Sequence, residues 1–124
     1  MHRRLSIGTL AVLMMAAAIA AQTPDITGKW NASFDTQIGT QTYTYDFTVK
    51  NGVLSGTAKS NLGEATISEG KVTGDAVTFV EMLKFDGNEI RIDYKGKIVS
   101  ADEIKFTRQV GDFATEELVA RRAK

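Results

Sequence analysis

Apolar and polar residues alternate along most of the chain, from about residue 26 to residue 110. A period of two indicates β-strands with one buried face, because successive side chains of a strand point to opposite sides. The segment 43–49, Tyr-Thr-Tyr-Asp-Phe-Thr-Val, is typical of this pattern. The chain is therefore expected to be an all-β domain.

Three dipeptides, Asn51-Gly52, Gly74-Asp75 and Asp86-Gly87, predict tight turns between neighbouring strands. Together with a three-residue loop at 100–102, these turns set the strand registers. The expected partners are Val49 and Leu54, Phe47 and Gly56, Tyr45 and Ala58, Val72 and Val77, Leu83 and Ile90, Glu81 and Ile92, Phe79 and Tyr94, Lys84 and Glu89, Ile98 and Ile104, and Gly96 and Phe106. Large rings thus face small residues on one side of the sheet, which suits a concave surface.

Each strand is expected to pair with the next in an antiparallel meander of seven or eight strands. Closure into a small up-and-down barrel removes the two exposed sheet edges, and a two-sheet sandwich is the alternative. The charges change after residue 112, with Glu116 and Glu117 early and Arg121 and Arg122 late. This order suits a helix dipole, so we predict a short helix over residues 113–122, packed outside the barrel.

The first 21 residues predict a cleaved signal peptide. Arg3 and Arg4 precede an uncharged apolar run that ends in Ala18-Ile19-Ala20. The run is short for a membrane span, so cleavage is favoured over an uncleaved anchor. Residues 22–124 then form a single domain that is periplasmic or secreted, with no stable membrane anchor after cleavage.

The mature composition excludes several kinds of chemistry. The chain has no cysteine, and its one histidine, His2, belongs to the signal segment. Catalytic triads with His or Cys, disulfides, and zinc or haem sites built on these residues are therefore excluded, and no cofactor or metal is expected. Without the signal the formal charge is −2, because 13 basic residues face 15 acidic ones. Nucleic acid is not an expected partner.

Nine of the ten aromatic residues, all except Phe113, fall on the predicted inner face. Two charged residues, Glu81 and Arg108, share that face and lie diagonally across the strand that carries Tyr94. Isolated charges are costly in an apolar interior, so they are expected to pair, or to meet water or a ligand. A buried ion pair, a polar anchor for a ligand, and a general base at Glu81 all remain open.

The ligand-binding residues predicted from this face are Tyr43, Tyr45, Glu81, Tyr94 and Arg108. No pair of carboxylates is placed across a cleft as glycoside hydrolysis requires, and no catalytic residue is assigned. We therefore expect a binding protein rather than an enzyme.

The start and end of the predicted sheet resemble lipocalin-like barrels, the calycin group that also includes avidin. Those barrels open with Gly-x-Trp and close with a basic residue packed across the tryptophan ring. The matching residues here are Gly28, Trp30 and Arg108. The resemblance implies a barrel capped at one end by a cation–π contact, with a small ligand held at the other.

A second resemblance covers the mature chain through "DITGKWNASFDT", "ISEGKVTGDAVTFVE", "YKGKI" and "EIKFTRQVGDFATEELVARR". These segments look like a group of short secreted bacterial β-domains, found alone or beside glycoside-hydrolase-type proteins, without a settled activity. The expected function is binding of a small apolar or amphipathic molecule. The alternatives are a glycan-binding or otherwise accessory domain of polysaccharide degradation and a solid-core protein-interaction module.

Overall fold

The computed structural model describes residues 24–124, and these residues form a closed antiparallel barrel of eight strands. The strands are β1 Gly28–Thr36, β2 Gly39–Lys50, β3 Val53–Ser60, β4 Gly63–Thr73, β5 Ala76–Phe85, β6 Asn88–Ser100, β7 Glu103–Val110 and β8 Ala114–Arg122. Each strand pairs with the next, and β8 returns to β1. The up-and-down barrel is confirmed, and the sandwich is not formed. The predicted signal peptide lies outside the described residues.

The registers set by the predicted turns are confirmed. Phe47 lies opposite Gly56, Phe79 opposite Tyr94, and Phe106 opposite Gly96. Asn51 and Gly52 both have positive φ, as the tight turn requires. A side chain at Gly96 would overlap the Phe106 ring, so this position must stay small for the ring to lie flat against the wall.

The predicted helix over 113–122 is wrong, because residues 114–122 form β8. The strand pairs with β7 along its length, and Leu118 and Ala120 point into the core. Closing the barrel satisfies the main-chain groups of β7 and buries these side chains, which outweighs the helix-like spacing of charges. Two of those charges instead find partners on β7, Glu116 with Arg108 and Arg121 with Glu103.

The middle of the barrel is filled by aromatic rings. Phe79 stacks on Tyr94 with ring centres 4.2 Å apart, and Tyr45 meets Tyr94 edge-on at 5.9 Å. Eight of the nine aromatics predicted to face inward are buried, while Phe85 is 37% exposed at one end. A ligand therefore has no room at mid-barrel, and any site must lie at an end or in the wall.

Three register shifts were not predicted from the sequence. They lie between Leu54 and Thr57 where β3 meets β4, between Ser68 and Lys71 where β4 meets β5, and between Ile98 and Ser100 where β6 meets β7. Glu69, in the second bulge, has a φ of +52°, which is uncommon for a residue with a side chain. Bulges bend the strand that carries them and help the sheet to close.

Candidate functional site

The two ends of the barrel differ. The mouth, where the loops β1–β2, β3–β4, β5–β6 and β7–β8 meet, contains a cavity of about 570 Å³. This volume lies within the usual range of small-molecule sites. The apolar residues that line it are Ile38, Leu62, Leu83, Phe85, Ile90, Val110, Phe113 and Ala114. The mouth is therefore the candidate functional site.

Four polar side chains lie at the inner part of this cavity. Gln41 and Tyr43 come from β2, Arg108 from β7 and Glu116 from β8. Alternation along β2 turns Gln41 and Tyr43 inward together with Tyr45. Arg108 lies directly opposite Glu116 in the β7–β8 pairing, so the register itself brings these charges together. The cavity thus combines an apolar rim with a polar floor.

A buried hydrogen-bond network lies directly under this floor. The hydroxyl of Tyr43 donates to Glu81 Oε2 at 2.8 Å, and that of Tyr94 donates to Glu81 Oε1 at 2.7 Å. Since Tyr94 has one hydroxyl proton, the 3.0 Å contact between the Tyr45 and Tyr94 oxygens requires Tyr45 to be the donor. Each oxygen of the Glu81 carboxylate is therefore satisfied inside the protein.

Arg108 joins this network to the cavity. Its Nη1 donates to the Tyr94 hydroxyl at 2.9 Å and lies 3.8 Å from Glu81 Oε1, while its Nε donates to Glu116 Oε1 at 2.7 Å. The guanidinium also lies 4.7 Å from the centre of the Phe34 ring. The positive charge of Arg108 is thus balanced by two carboxylates, one beneath the floor and one in it.

Burial shifts the titration of these groups. Desolvation raises the pKa of Glu81 above its ordinary value, although hydrogen bonds from Tyr94 and Tyr43 and the charge of Arg108 oppose the shift. Desolvation, followed by the charge of Glu81, raises the pKa of Tyr43 to about 12. Burial raises the pKa of Tyr45 and that of Tyr94 well above the usual range. All three tyrosines stay protonated near neutral pH and can act as donors.

The five residues predicted to bind a ligand divide into two groups. Tyr43 and Arg108 line the cavity. Tyr45, Glu81 and Tyr94 lie below it, where Glu81 is only 1% exposed. The predicted pairing of Glu81 with Arg108 is present in the structure, and it serves to hold the cavity floor.

Two floor residues were missed by sequence reasoning. Gln41 continues the inward series of Tyr43, Tyr45 and Phe47, and this alternation is the signal that places it on the inner face. Glu116 was assigned to a helix. Had 114–122 been interpreted as a strand, the short β7–β8 connection would have placed Glu116 opposite Arg108.

The cap predicted from Gly28, Trp30 and Arg108 is corrected in one residue. The guanidinium over the indole belongs to Arg122, 4.6 Å from the ring centre, whereas Arg108 lies at the mouth. The reason is the register, because Trp30 pairs with Arg122 where β8 meets β1. Gly28 is part of the same cap, since a side chain there would crowd Arg122 Nη1 at 2.9 Å.

A wider cleft of about 950 Å³ lies on the side wall, around the junction of β1 and β8. These strands pair only at Trp30 with Arg122 and at Asn31 with Arg121. Phe34, Phe106 and Leu118 contribute to the lining. Within residues 24–124, however, the only buried side-chain polar atom without a hydrogen-bond partner lies in the mouth, on Gln41. The mouth is therefore the better candidate site.

Two further features are absent from residues 24–124. No group of three or more His, Cys, Asp or Glu residues in this part of the chain is arranged to hold a metal ion. None of its segments forms a helix of the length and apolarity needed to cross a bilayer. Comparison of the chain with protein-family models, with curated proteins and with solved structures finds no match.

Proposed function

We propose that this protein binds a small apolar or amphipathic molecule at the mouth of the barrel. The observation that carries the proposal is the cavity of about 570 Å³, closed below by Tyr43 and Arg108 and bounded above by apolar side chains. Small-molecule sites commonly have this form, with apolar walls and a few placed polar groups. A ligand here would bury its apolar part against the rim and turn a polar group toward the floor.

The rim supports the apolar part of this proposal. Phe113 is 67% exposed and Ile38 is 54% exposed, and both border the cavity. Exposed apolar side chains gathered at one opening favour a binding surface, because they would gain by leaving water. Glu81, which the sequence offered as a general base, does not line the cavity, and this favours binding over catalysis.

The proposal includes the cellular location of the protein and its relationship to other barrels. The signal-like residues 1–21 favour a periplasmic or secreted location. The Gly28-x-Trp30 start, together with a guanidinium packed on the indole, supports a relationship to lipocalin-like barrels. Binding of a small molecule in such a location needs no cofactor from the protein.

Glycan binding is a second candidate function, and one observation favours it. Sugar-binding modules often present exposed aromatic rings, and Phe85 and Phe113 lie at the rim of a cavity with polar groups in its floor. An oligosaccharide could stack against these rings and direct its hydroxyl groups toward Gln41 and Tyr43. A thermal-shift screen that includes oligosaccharides separates this candidate from the first.

A thermal-shift screen of the purified protein against alkyl chains, small aromatic compounds and oligosaccharides tests the proposal. A ligand present at about 100 times its dissociation constant stabilises the native state by about 2.7 kcal/mol, which is several degrees for a domain of this size. A shift with alkyl or aromatic compounds supports the first function. A shift with oligosaccharides alone moves the assignment to glycan binding, and no shift with any class contradicts both.

A pair of variants locates the binding. Phe113→Ser removes an exposed ring from the rim, while Val53→Ser removes a similarly exposed apolar group, 60% exposed, at the opposite end. Both changes should leave the melting temperature of the free protein nearly unaltered, since both side chains already contact water. Only Phe113→Ser should reduce the ligand-induced shift. An equal reduction in both variants would place binding outside the mouth.

A further inference from the structure

Gln41 carries a polar atom that the protein itself does not satisfy. The residue lies on β2 and is 4% exposed, and its Oε1 has no hydrogen-bond partner within residues 24–124. A buried amide oxygen without a hydrogen-bond partner lowers the stability of the folded protein. Its presence in the barrel wall therefore calls for an explanation. Every other buried side-chain polar atom in this part of the chain has a partner.

The position of Gln41 connects this atom with the cavity. Gln41 lines the mouth, one inward position further out than Tyr43. Across the β1–β2 pairing it lies opposite Phe34, whose ring is covered by the Arg108 guanidinium. Gln41 therefore belongs to the polar corner of the cavity, and rotation of its amide is needed to turn the buried Oε1 toward a ligand.

The charges around the cavity disfavour an anion. Four carboxylates line it, namely Asp86, Glu89, Asp112 and Glu116, against two guanidinium groups, Arg91 and Arg108, which gives the lining a formal charge of −2. Both guanidinium groups are already paired. Arg91 binds Glu69 and Asp93, and Arg108 binds Glu116 and lies beside Glu81. A carboxylate or a phosphate bound here would therefore compete with the protein's own carboxylates for these two guanidinium groups.

The floor also disfavours a cation. An ammonium group that reached Gln41 would have to leave water, and the nearby carboxylates of Glu116 and Glu81 are already paired with Arg108. Burying a charge without a partner of its own is costly. An uncharged group meets neither penalty. A hydroxyl is the best match, because it can accept from Nε2 or donate to Oε1, whichever of the two atoms the amide turns toward the cavity.

We propose that Gln41 is the specificity-determining residue of the mouth and that the ligand presents an uncharged hydroxyl group to its amide. This inference rests on the proposed function and narrows it, because it excludes fatty acids and other carboxylates as the preferred ligands. The class it names is neutral hydroxyl-bearing molecules with an apolar or aromatic body. An alkyl or aryl alcohol and a saccharide share this chemistry.

A matched set of probes tests the inference by titration calorimetry. The probes are 4-phenylbutanol, 4-phenylbutanoate, 4-phenylbutylammonium, the parent hydrocarbon butylbenzene, and cellobiose as the saccharide. The alcohol should bind about tenfold more tightly than the hydrocarbon, as expected for one satisfied hydrogen bond. It should also bind more tightly than either charged probe, because burying an unpaired charge is costly. Tighter binding of cellobiose than of the alcohol would identify the saccharide as the source of the hydroxyl.

The variant Gln41→Leu should abolish the preference for alcohol over hydrocarbon while leaving hydrocarbon affinity within about twofold. Its melting temperature should equal or exceed that of the wild type, since an unsatisfied amide is removed. Gln41→Met serves as a second apolar variant should Gln41→Leu fold poorly. Thr42→Val is the matched control, because Thr42 is the next residue of β2 and faces outward. It should keep the full preference.

The outcomes separate the two proposals. Equal or tighter binding of the carboxylate or ammonium probe, or a preference for alcohol that survives in both Gln41 variants, overturns the role of Gln41 while small-molecule binding stands. Failure of every probe here, together with no response in the thermal-shift screen, overturns the proposed function itself and this inference with it.

Discussion

The two arginines that close the interior of the barrel are built into it differently. Arg122 lies over Trp30 at the closed end, and its Nε, Nη1 and Nη2 donate to the main-chain carbonyl oxygens of Ala101, Thr27 and Asp25 at 2.8–2.9 Å. Arg108 lies at the mouth and is held by side chains, chiefly Glu116 and Tyr94. One arginine joins strand ends together, and the other supports a cavity.

This difference indicates which end is structural. These carbonyl oxygens lie just outside strand ends and need donors in any ligand state, so a guanidinium that satisfies three of them acts as a permanent cap. At the mouth, Arg108 lies between two carboxylates, Glu116 in the floor of the cavity and Glu81 beneath it, and the floor contacts a cavity. The closed end is held by a cap that no ligand contacts, and the candidate site lies at the other end.

The largest expected effect follows from removing the charge at the mouth. Arg108→Met leaves Glu81 and Glu116 without their cation and should lower the free energy of unfolding by about 3–5 kcal/mol. The double variant Arg108→Met, Glu81→Gln should lose much less than the sum of the two single changes. Urea denaturation of the four proteins measures this coupling. Additive losses would mean that the buried pair does not exist as described.

Removing the guanidinium of the cap should lower the free energy of unfolding by a smaller amount. Arg122→Met removes three hydrogen bonds and the contact with the indole, and it should cost about 2 kcal/mol. Arg121→Met is the matched control. Its exposed pair with Glu103 contributes little, so that change should cost under about 0.5 kcal/mol. Fluorescence of Trp30, the one tryptophan of the chain, reports both unfolding transitions. Equal losses in the two variants would contradict the cap.

A smaller effect concerns pH. The stability contributed by Glu81 at the mouth and by Asp25 at the closed end should change with pH in opposite directions. The folded-state pKa of Glu81 is raised from 4.5, so its favourable contribution is complete below that pH and is lost as pH rises through the raised pKa. The stability advantage of wild type over Glu81→Gln should therefore shrink from pH 4 toward neutrality.

At the closed end, the hydrogen bonds from Thr27 lower the pKa of Asp25 below 3.8. The advantage of wild type over Asp25→Asn should therefore be present above that pH and should fall as the solution becomes more acidic. Urea titrations between about pH 3 and pH 7 measure both differences. The same pH trend in both variants would contradict the assigned environments.

The least disruptive experiment is a spectroscopic titration of the unmodified protein. The chain has three tyrosines, and all are buried with raised pKa values. Phenolate absorbance should therefore be absent at pH 10 while the barrel stays folded, with Tyr43 ionising first at about pH 12. A step of one tyrosine near pH 10 in the folded protein would show that the network is open to water.

The sequence predicted the barrel well because local signals determine it. Turn dipeptides such as Asn51-Gly52 set the register, and alternation then assigns each side chain to a face. The same registers placed Glu81 diagonally from Arg108 across the strand that carries Tyr94, and these three residues support the floor of the cavity. These features require only neighbouring strands, so their prediction needs no knowledge of how the barrel closes.

The features that were missed depend on closure. The last strand was interpreted as a helix because its charges suit one, and its strand state becomes favourable only when β7 and β1 are both present. That error removed Glu116 from the site and assigned the cap to Arg108 instead of Arg122. Gln41 was missed because an inward glutamine gains a role only when the cavity beside it is known.

The central claim is that the barrel is capped at one end and binds its ligand at the other. The most direct measurement is an amide and indole chemical-shift map of the isotopically labelled protein, titrated with 4-phenylbutanol. We predict shifts confined to the mouth, at Ile38, Gln41, Gly111 and Phe113, with the Trp30 indole signal, whose proton is donated to the Ile26 carbonyl, unchanged. Shifts centred on Trp30 or on the β1–β8 junction, or no localised shift, would contradict the account.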